Sequence, residues 1–230
     1  MKIRNKTYLD PITKVPMIEA HMRWILIGSE EAIGKQALES VLNENGLTKY
    51  INNYPAGTMS LNPNITIGDY ANISAGLIEF YQKTGNQGIA SEMIRLGRNC
   101  TKPALEYQGI LFNFAARTAI RLLPLSLQVK TVLEGIQGDL DKIYKAIDHE
   151  VNVEVVDRGQ TWAYIDEGCA LCAGKEADAP ICWSWVGTLE ESLQWMTGKQ
   201  FAIEQVKCRA MGDSNCVWEI SKKAKRSFTW

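Results

Sequence analysis

Five of the six cysteines fall between Cys169 and Cys216, and this clustering constrains the fold more than any other feature of the chain. Cys169 and Cys172 form a C-x-x-C pair, Cys182 follows ten residues on, and Cys208 and Cys216 stand eight apart. Thiols grouped in this way point to a soft-metal site or a redox site, and either requires distant segments to meet. Cys208 and Cys216 sit at the facing ends of a predicted hairpin that turns around Gly212-Asp213, so their sulfurs converge there. Cys182 opens a predicted helix and would close a third side. Three thiolates and one further ligand make a tetrahedral zinc site, with Cys172, Cys169 or Glu204 as candidates for the fourth. The spacing differs from that of a zinc ribbon, in which two C-x-x-C pairs face each other. Buried hydrophobic cysteines and a reactive dithiol are the competing readings.

At 230 residues and 46% hydrophobic content, the chain can fill the core of one domain, with or without an N-terminal extension. A net charge of -1 and a pI near 6.2 give no concentrated basic face, so no nucleic-acid partner is expected. The basic cluster Lys222-Lys223-Ala224-Lys225-Arg226 reads as a solvated tail. Met1–Lys6 is polar, and Trp24-Ile25-Leu26-Ile27 is too short an apolar run for a signal peptide. No stretch approaches the ~20 apolar residues of a spanning helix. The expected location is cytoplasmic, where reduced cysteines favour metal binding or thiol chemistry over disulfides.

Periodicity divides the chain in two. Met1–Gly28 lacks a clear period and reads as an extended arm, one that would pack on a partner subunit. A helix is expected from a Ser29 cap to Gly46, followed by a loop over Tyr50–Pro63. Helices are then expected over Asp69–Lys83 and Gln87–Asn99. Pro103 should open a third segment, apolar on more than one face, that Pro124 ends. Leu133, Ile136, Leu140, Ile143 and Ile147 form a seam that packs within the subunit or against a second one; with the arm, it suggests a homodimer. From Val151 the pattern alternates. Strands are expected over Val151–Val155, Thr161–Ile165, Lys199–Cys208 and Asn215–Ser221, with a helix inserted over Ile181–Met196. The expected class is α+β, with an N-terminal helical layer packed on a four-stranded antiparallel sheet. The chain divides into an arm and helix (1–49), a ligand-binding domain (50–221) and a basic tail (222–230).

The run C-x-x-C, Ala-Pro-Ile-Cys182, Gly198-Lys199, Phe201 and Cys208-Arg209-Ala210-Met211-Gly212-Asp213-Ser214-Asn215-Cys216 resembles the 4-vinyl reductase domain family. Arg95-Leu96-Gly97-Arg98 is similar to that family's helical half. The resemblance spans roughly Tyr50 to Ile220 and leaves the arm unassigned. It implies a fold shared with nitric-oxide-sensing and vesicle-tethering domains. Family members include a bacteriochlorophyll biosynthesis protein and the sensor domains of phenol- and xylene-responsive activators. In those sensors three cysteines and a glutamate hold zinc beside a pocket for an aromatic ligand. The three cysteines map onto Cys182, Cys208 and Cys216. The glutamate position is occupied by Gln205, a poor zinc ligand, and alternation puts Glu204 on the opposite strand face. Cys172 or Cys169 is therefore the expected replacement.

The expected ligand is a hydrophobic aromatic molecule or a tetrapyrrole, with Trp183, Trp185, Tyr107 and Phe112 lining its pocket. The aromatic set Trp162, Tyr164, Trp183, Trp185, Trp195 and Trp218 would otherwise serve as core. His21 and His149 are isolated, no Ser/His/Asp arrangement can be assembled, and Gly85-Asn86-Gln87-Gly88 lacks the features of a phosphate loop. No catalytic residue is nominated, and the balance favours binding over catalysis. The rivals are an enzyme acting on a tetrapyrrole vinyl group, a hydrolase using Cys169 or Cys172, and a dimeric assembly protein.

Overall fold

The computed structural model describes residues 1–7, 9–111, 114–146 and 151–225, with side chains described except at 107–111, 114–117, 139, 142–143 and 146. Helices α1 (Glu19–Ile33), α2 (Lys35–Glu44), α3 (Ile67–Lys83), α4 (Ile89–Leu111), α5 (Phe114–Arg121) and α6 (Leu125–Ala146) precede the main sheet, and α7 (Trp183–Thr197) lies within it in sequence. The strands are β1 (Ile3–Asn5), β2 (Pro16–Ile18), β3 (Leu61–Thr66), β4 (Val153–Asp157), β5 (Thr161–Asp166), β6 (Lys175–Ala177), β7 (Phe201–Lys207) and β8 (Cys216–Ala224). Among the described residues no helix is long and apolar enough to cross a membrane.

The main sheet is antiparallel in the order β4-β5-β8-β7, so the class is α+β as the change of period implies. Alternation makes one face of it apolar. Trp162, Tyr164 and Asp166 of β5 stand opposite Ile220, Trp218 and Cys216 of β8, and all six are buried. Helix α7 packs next to this sheet and against α4. That helix pair approaches closely because Gly97 faces the Ser184 backbone and Gly187 faces the Ile94 carbonyl.

Three helix boundaries differ from the sequence reading. α1 begins at Glu19, well before Ser29; the Ser29 hydroxyl donates to the Ile25 carbonyl inside the helix instead of capping it. Gly34, at φ +81°, then separates α1 from α2, a backbone state that glycine adopts without strain. Pro103 does not open a new helix but sits inside α4. Its ring removes one backbone donor, and packing of α4 along α7 offsets that loss.

The N-terminal segment is held by two small ribbons. β1 pairs antiparallel with β6, Ile3 opposite Ala177, and β2 pairs with β3, which lies partly in the expected 50–63 loop. In α6, Leu133 is buried while Ile136 and Leu140 pack against the same core; Ile143 and Ile147 lie outside the described side chains.

Candidate metal centre and ligand pocket

Five segments deliver the cysteines to one place. Cys169 follows β5, Cys172 ends a short turn of helix, Cys182 precedes α7, Cys208 follows β7 and Cys216 begins β8. All five are buried and none is in a disulfide. The Sγ atoms of Cys169, Cys172, Cys182 and Cys216 all lie within 4.8 Å of one another. Cys169 and Cys182 are 3.5 Å apart, as are Cys172 and Cys216, while Cys182 is 3.9 Å from both Cys216 and Cys208. A tetrahedron of sulfurs around zinc at ~2.3 Å has edges of about 3.8 Å, so these separations suit that ion.

Backbone donors frame the cluster. The Arg209 N–H reaches Cys216 Sγ at 3.3 Å, and the Asp213 carboxylate accepts from the Cys208 N–H at 2.9 Å, which fixes the knuckle between β7 and β8. Burial opposes ionisation of Cys169, but hydrogen bonds from Cys172, Cys182 and Cys216 outweigh it and hold its pKa well below the usual thiol range. Burial together with donation to the other four thiols pushes Cys182 up. Metal binding at such a cluster would release the thiol protons that remain.

Glu204 is exposed on the far face of β7, opposite Glu219, and does not reach the cluster. Gln205 does come close, but its carbonyl oxygen accepts from the Cys182 N–H at 3.2 Å and its amide donates to the Lys207 carbonyl. It therefore positions a cysteine instead of offering a free oxygen. Three charged neighbours carried little signal in the sequence. The Arg209 guanidinium acts electrostatically on Cys172, Cys169 and Cys216, so the loop is less basic-poor than its own residues suggest. Arg209 lies within the C-x-A-x-G-D motif and could have been read from it. Asp10, which Arg209 binds at 3.1 Å, comes from the other end of the chain and carried no signal. Buried Asp166 accepts from the Gly168 N–H at 2.7 Å, and burial pushes its pKa up to about 7 despite that bond.

Next to the cluster on the same sheet face stands an aromatic group. Tyr164 and Trp218 are cross-strand partners with ring centroids 6.2 Å apart; Trp185 of α7 lies 6.0 Å from Tyr164 and 6.2 Å from Trp218. Tyr164 Oη, Trp185 Nε1 and Trp218 Nε1 are buried without a hydrogen-bond partner. Trp183 is half-buried at the start of α7. The Tyr107 side chain and Phe112, the other expected lining residues, lie outside the described residues. Trp162 has a separate role: its indole N–H donates to the Ser126 carbonyl, and Lys222 Nζ sits 4.2 Å from its ring centre.

Residues 162–222, which run from β5 into β8 and contain all five clustered cysteines, match the V4R domain model. That segment is similar to the V4R family. This is the 4-vinyl reductase family to which the cysteine motif pointed. An uncharacterised protein of Methanocaldococcus jannaschii is 24% identical over 83 residues, 36% of this chain and 45% of that protein, so the match spans less than half of the relative's length. Among solved structures, an H-NOX family protein used to probe heme distortion superposes with a TM-score of 0.56 at 14% identity, covering 93% of this chain and all of that one. An H-NOX protein from S. oneidensis in an Fe(II)NO state gives 0.54 at 12%, covering 91% of this chain and 100% of its own. At such identities the likeness is one of fold. The V4R segment thus sits in an H-NOX-like α+β architecture whose helical layer includes residues outside the family match.

Proposed function

We propose that this chain is a small-molecule-binding domain, pinned by zinc at its cysteine cluster, that takes a hydrophobic aromatic ligand beside α7. The observation that carries the ligand is the trio Tyr164, Trp185 and Trp218, whose three polar atoms are buried without partners. An indole N–H can only donate, and leaving it unpaired in a dry interior is costly. A flat ligand bearing an oxygen acceptor would stack on these rings and satisfy their donors together. Phenols fit that description, and a tetrapyrrole with carboxylate arms is the larger alternative.

The cluster's role in this reading is structural. Four buried sulfurs would complete a tetrahedron and tie β5, the loop after it, α7 and β8 into one unit, with no position left open for water. In this reading Cys169 joins Cys172, Cys182 and Cys216 as a ligand and Cys208 is the spare thiol, a choice that the compact quartet supports over the expected set with Cys208. The same burial weighs against a cysteine nucleophile, since Cys169 is only 2% exposed and Cys172 not at all. A homodimer and a cytoplasmic location complete the reading; light scattering at micromolar concentration, giving a monomer, would remove the dimer.

Equilibrium dialysis against phenol and against protoporphyrin IX, followed by chemical analysis of the recovered ligand, tests the proposal. Saturable binding of one of them, unchanged on recovery and weakened by Tyr164→Phe, is expected. Absence of binding by both would end the aromatic-ligand reading, and recovery of an altered ligand would favour an enzyme.

A further inference from the structure

A second site lies apart from the aromatic trio, where the N-terminal segment crosses the beginning of α3 and the turn after Cys172. Asn5, Lys6, Asp10, Asn72, Gly174 and Lys175 line a cleft of about 380 Å³ there, within the size range of small-molecule sites. We propose that this cleft binds a small oxyanion, a carboxylate or a phosphate group, between Lys175 and Lys6.

The charge balance supports this. Lys175 is only 5% exposed, yet its ammonium donates to two neutral oxygens, Asn5 Oδ1 at 2.7 Å and Asn72 Oδ1 at 2.5 Å. An ammonium carries three N–H groups, so one is left for an acceptor in the cleft. Burial holds its pKa below the usual lysine value, with the field of Glu79 on α3 opposing the shift. Burying a cation is costly, and the field of Glu79 offsets part of that cost.

The carboxylate that lines the cleft, Asp10, is engaged by other groups. The Lys6 side chain is 9% exposed and lies 3.6 Å from Asp10. Asp10 is already engaged by Arg209 at 3.1 Å and by the Gly174 N–H at 3.2 Å. Asp10 is thus shared between Lys6 and Arg209. Asn5 and Asn72 accept from Lys175 through their oxygens, and each also carries an amide N–H₂ donor group. Two lysines and two amides match the acceptor-rich surface of a carboxylate or phosphate. No aromatic side chain lines the cleft among the described residues, which separates this chemistry from that of the trio.

Calorimetric titration of the full chain with inorganic phosphate and with acetate, each at ionic strength held constant with chloride, tests the site. Saturable binding of about one anion per chain is expected, weakened about tenfold or more by Lys175→Met and by Lys6→Met, as for loss of one charge-assisted hydrogen bond. Lys35→Met, on an exposed lysine elsewhere, should leave it unchanged. Preference for phosphate identifies a phosphate ester as the ligand class, and preference for acetate a carboxylate. Lack of saturable binding by both anions up to about 10 mM, the weakest range of specific binding, overturns the proposal. Equal affinity in wild type and Lys6→Met does so as well, and that variant decides the matter if Lys175→Met fails to fold.

Discussion

Asp10 accepts a hydrogen bond from Arg209 at 3.1 Å, joining groups 199 positions apart in the chain. Through its other bonds the same carboxylate holds the Gly174 and Ile12 N–H groups. It thereby ties the N-terminal segment to the loop after Cys172 and to the knuckle after Cys208. Replacing it with asparagine keeps the shape but removes the negative charge that Arg209 and Lys6 share. Asp10→Asn should cost about 3 kcal/mol, as for breaking one side of a buried ion pair. Urea denaturation measures this, and a loss below ~0.5 kcal/mol would show that the pair is not structurally important.

The same carboxylate sets an acid limit. Burial alone would raise its pKa, but Arg209, the Gly174 N–H, Lys6 and the Ile12 N–H outweigh burial and hold it below the ordinary value. A depressed folded-state pKa means that the stabilisation is complete above the unfolded value of about 4 and lost as pH falls through the folded one. The stability gap between wild type and Asp10→Asn should therefore shrink as pH falls below about 4. A gap that stays constant on acidification would assign the effect to shape instead of charge.

Much of the sheet was legible because its strands alternate strongly. Val153 and Val155 set the period, and Asp157-Arg158-Gly159 marks the turn into Thr161–Asp166. The cysteine convergence was legible for the same reason, since register fixes Cys216 opposite Asp166 and near the knuckle. β1 and β6 were not, because three-residue strands are too short to show a period. Pro103 misled because the rule against proline in helices is local, whereas the packing of α4 on α7 is tertiary. The Asp10, Lys6 and Lys175 group was invisible for a simpler reason: nothing in a sequence pairs residue 10 with residue 209.

Metal removal should be felt throughout the C-terminal half. If four thiolates hold zinc, dialysis against a strong chelator should lower the melting midpoint by about 10 °C or more, at ~2–4 °C per kcal/mol for a chain of this size. Serine substitution at Cys172, Cys182 or Cys216 should abolish stoichiometric zinc. Cys169 and Cys208 separate the two possible ligand sets, because only Cys169 lies in the quartet within 4.8 Å. Elemental analysis should find zinc retained in Cys208→Ser and lost in Cys169→Ser. The reverse pattern would place Cys208 in the site, and no metal in wild type would remove the centre altogether.

The contact between α4 and α7 makes the sharpest mechanical prediction. A methyl group on Gly97 would lie 1.9 Å from the Ser184 carbonyl oxygen, and one on Gly187 would lie 2.0 Å from the Ile94 carbonyl oxygen. Both obstacles are backbone, so no side-chain rotation relieves them, and the helices must separate. α7 begins beside Cys182 and carries Trp185, so that separation would disturb the cysteine cluster and the aromatic trio together. Gly97→Ala and Gly187→Ala should each destabilise by about 2–3 kcal/mol or more despite alanine's higher helix propensity. Gly135 of α6 is the control, since nothing lies within 4 Å of its added methyl group. Gly135→Ala should be neutral or stabilising by up to ~1 kcal/mol. Thermal melts of the three variants give the comparison, and equal effects at Gly97 and Gly135 would mean that α4 and α7 do not meet backbone to backbone.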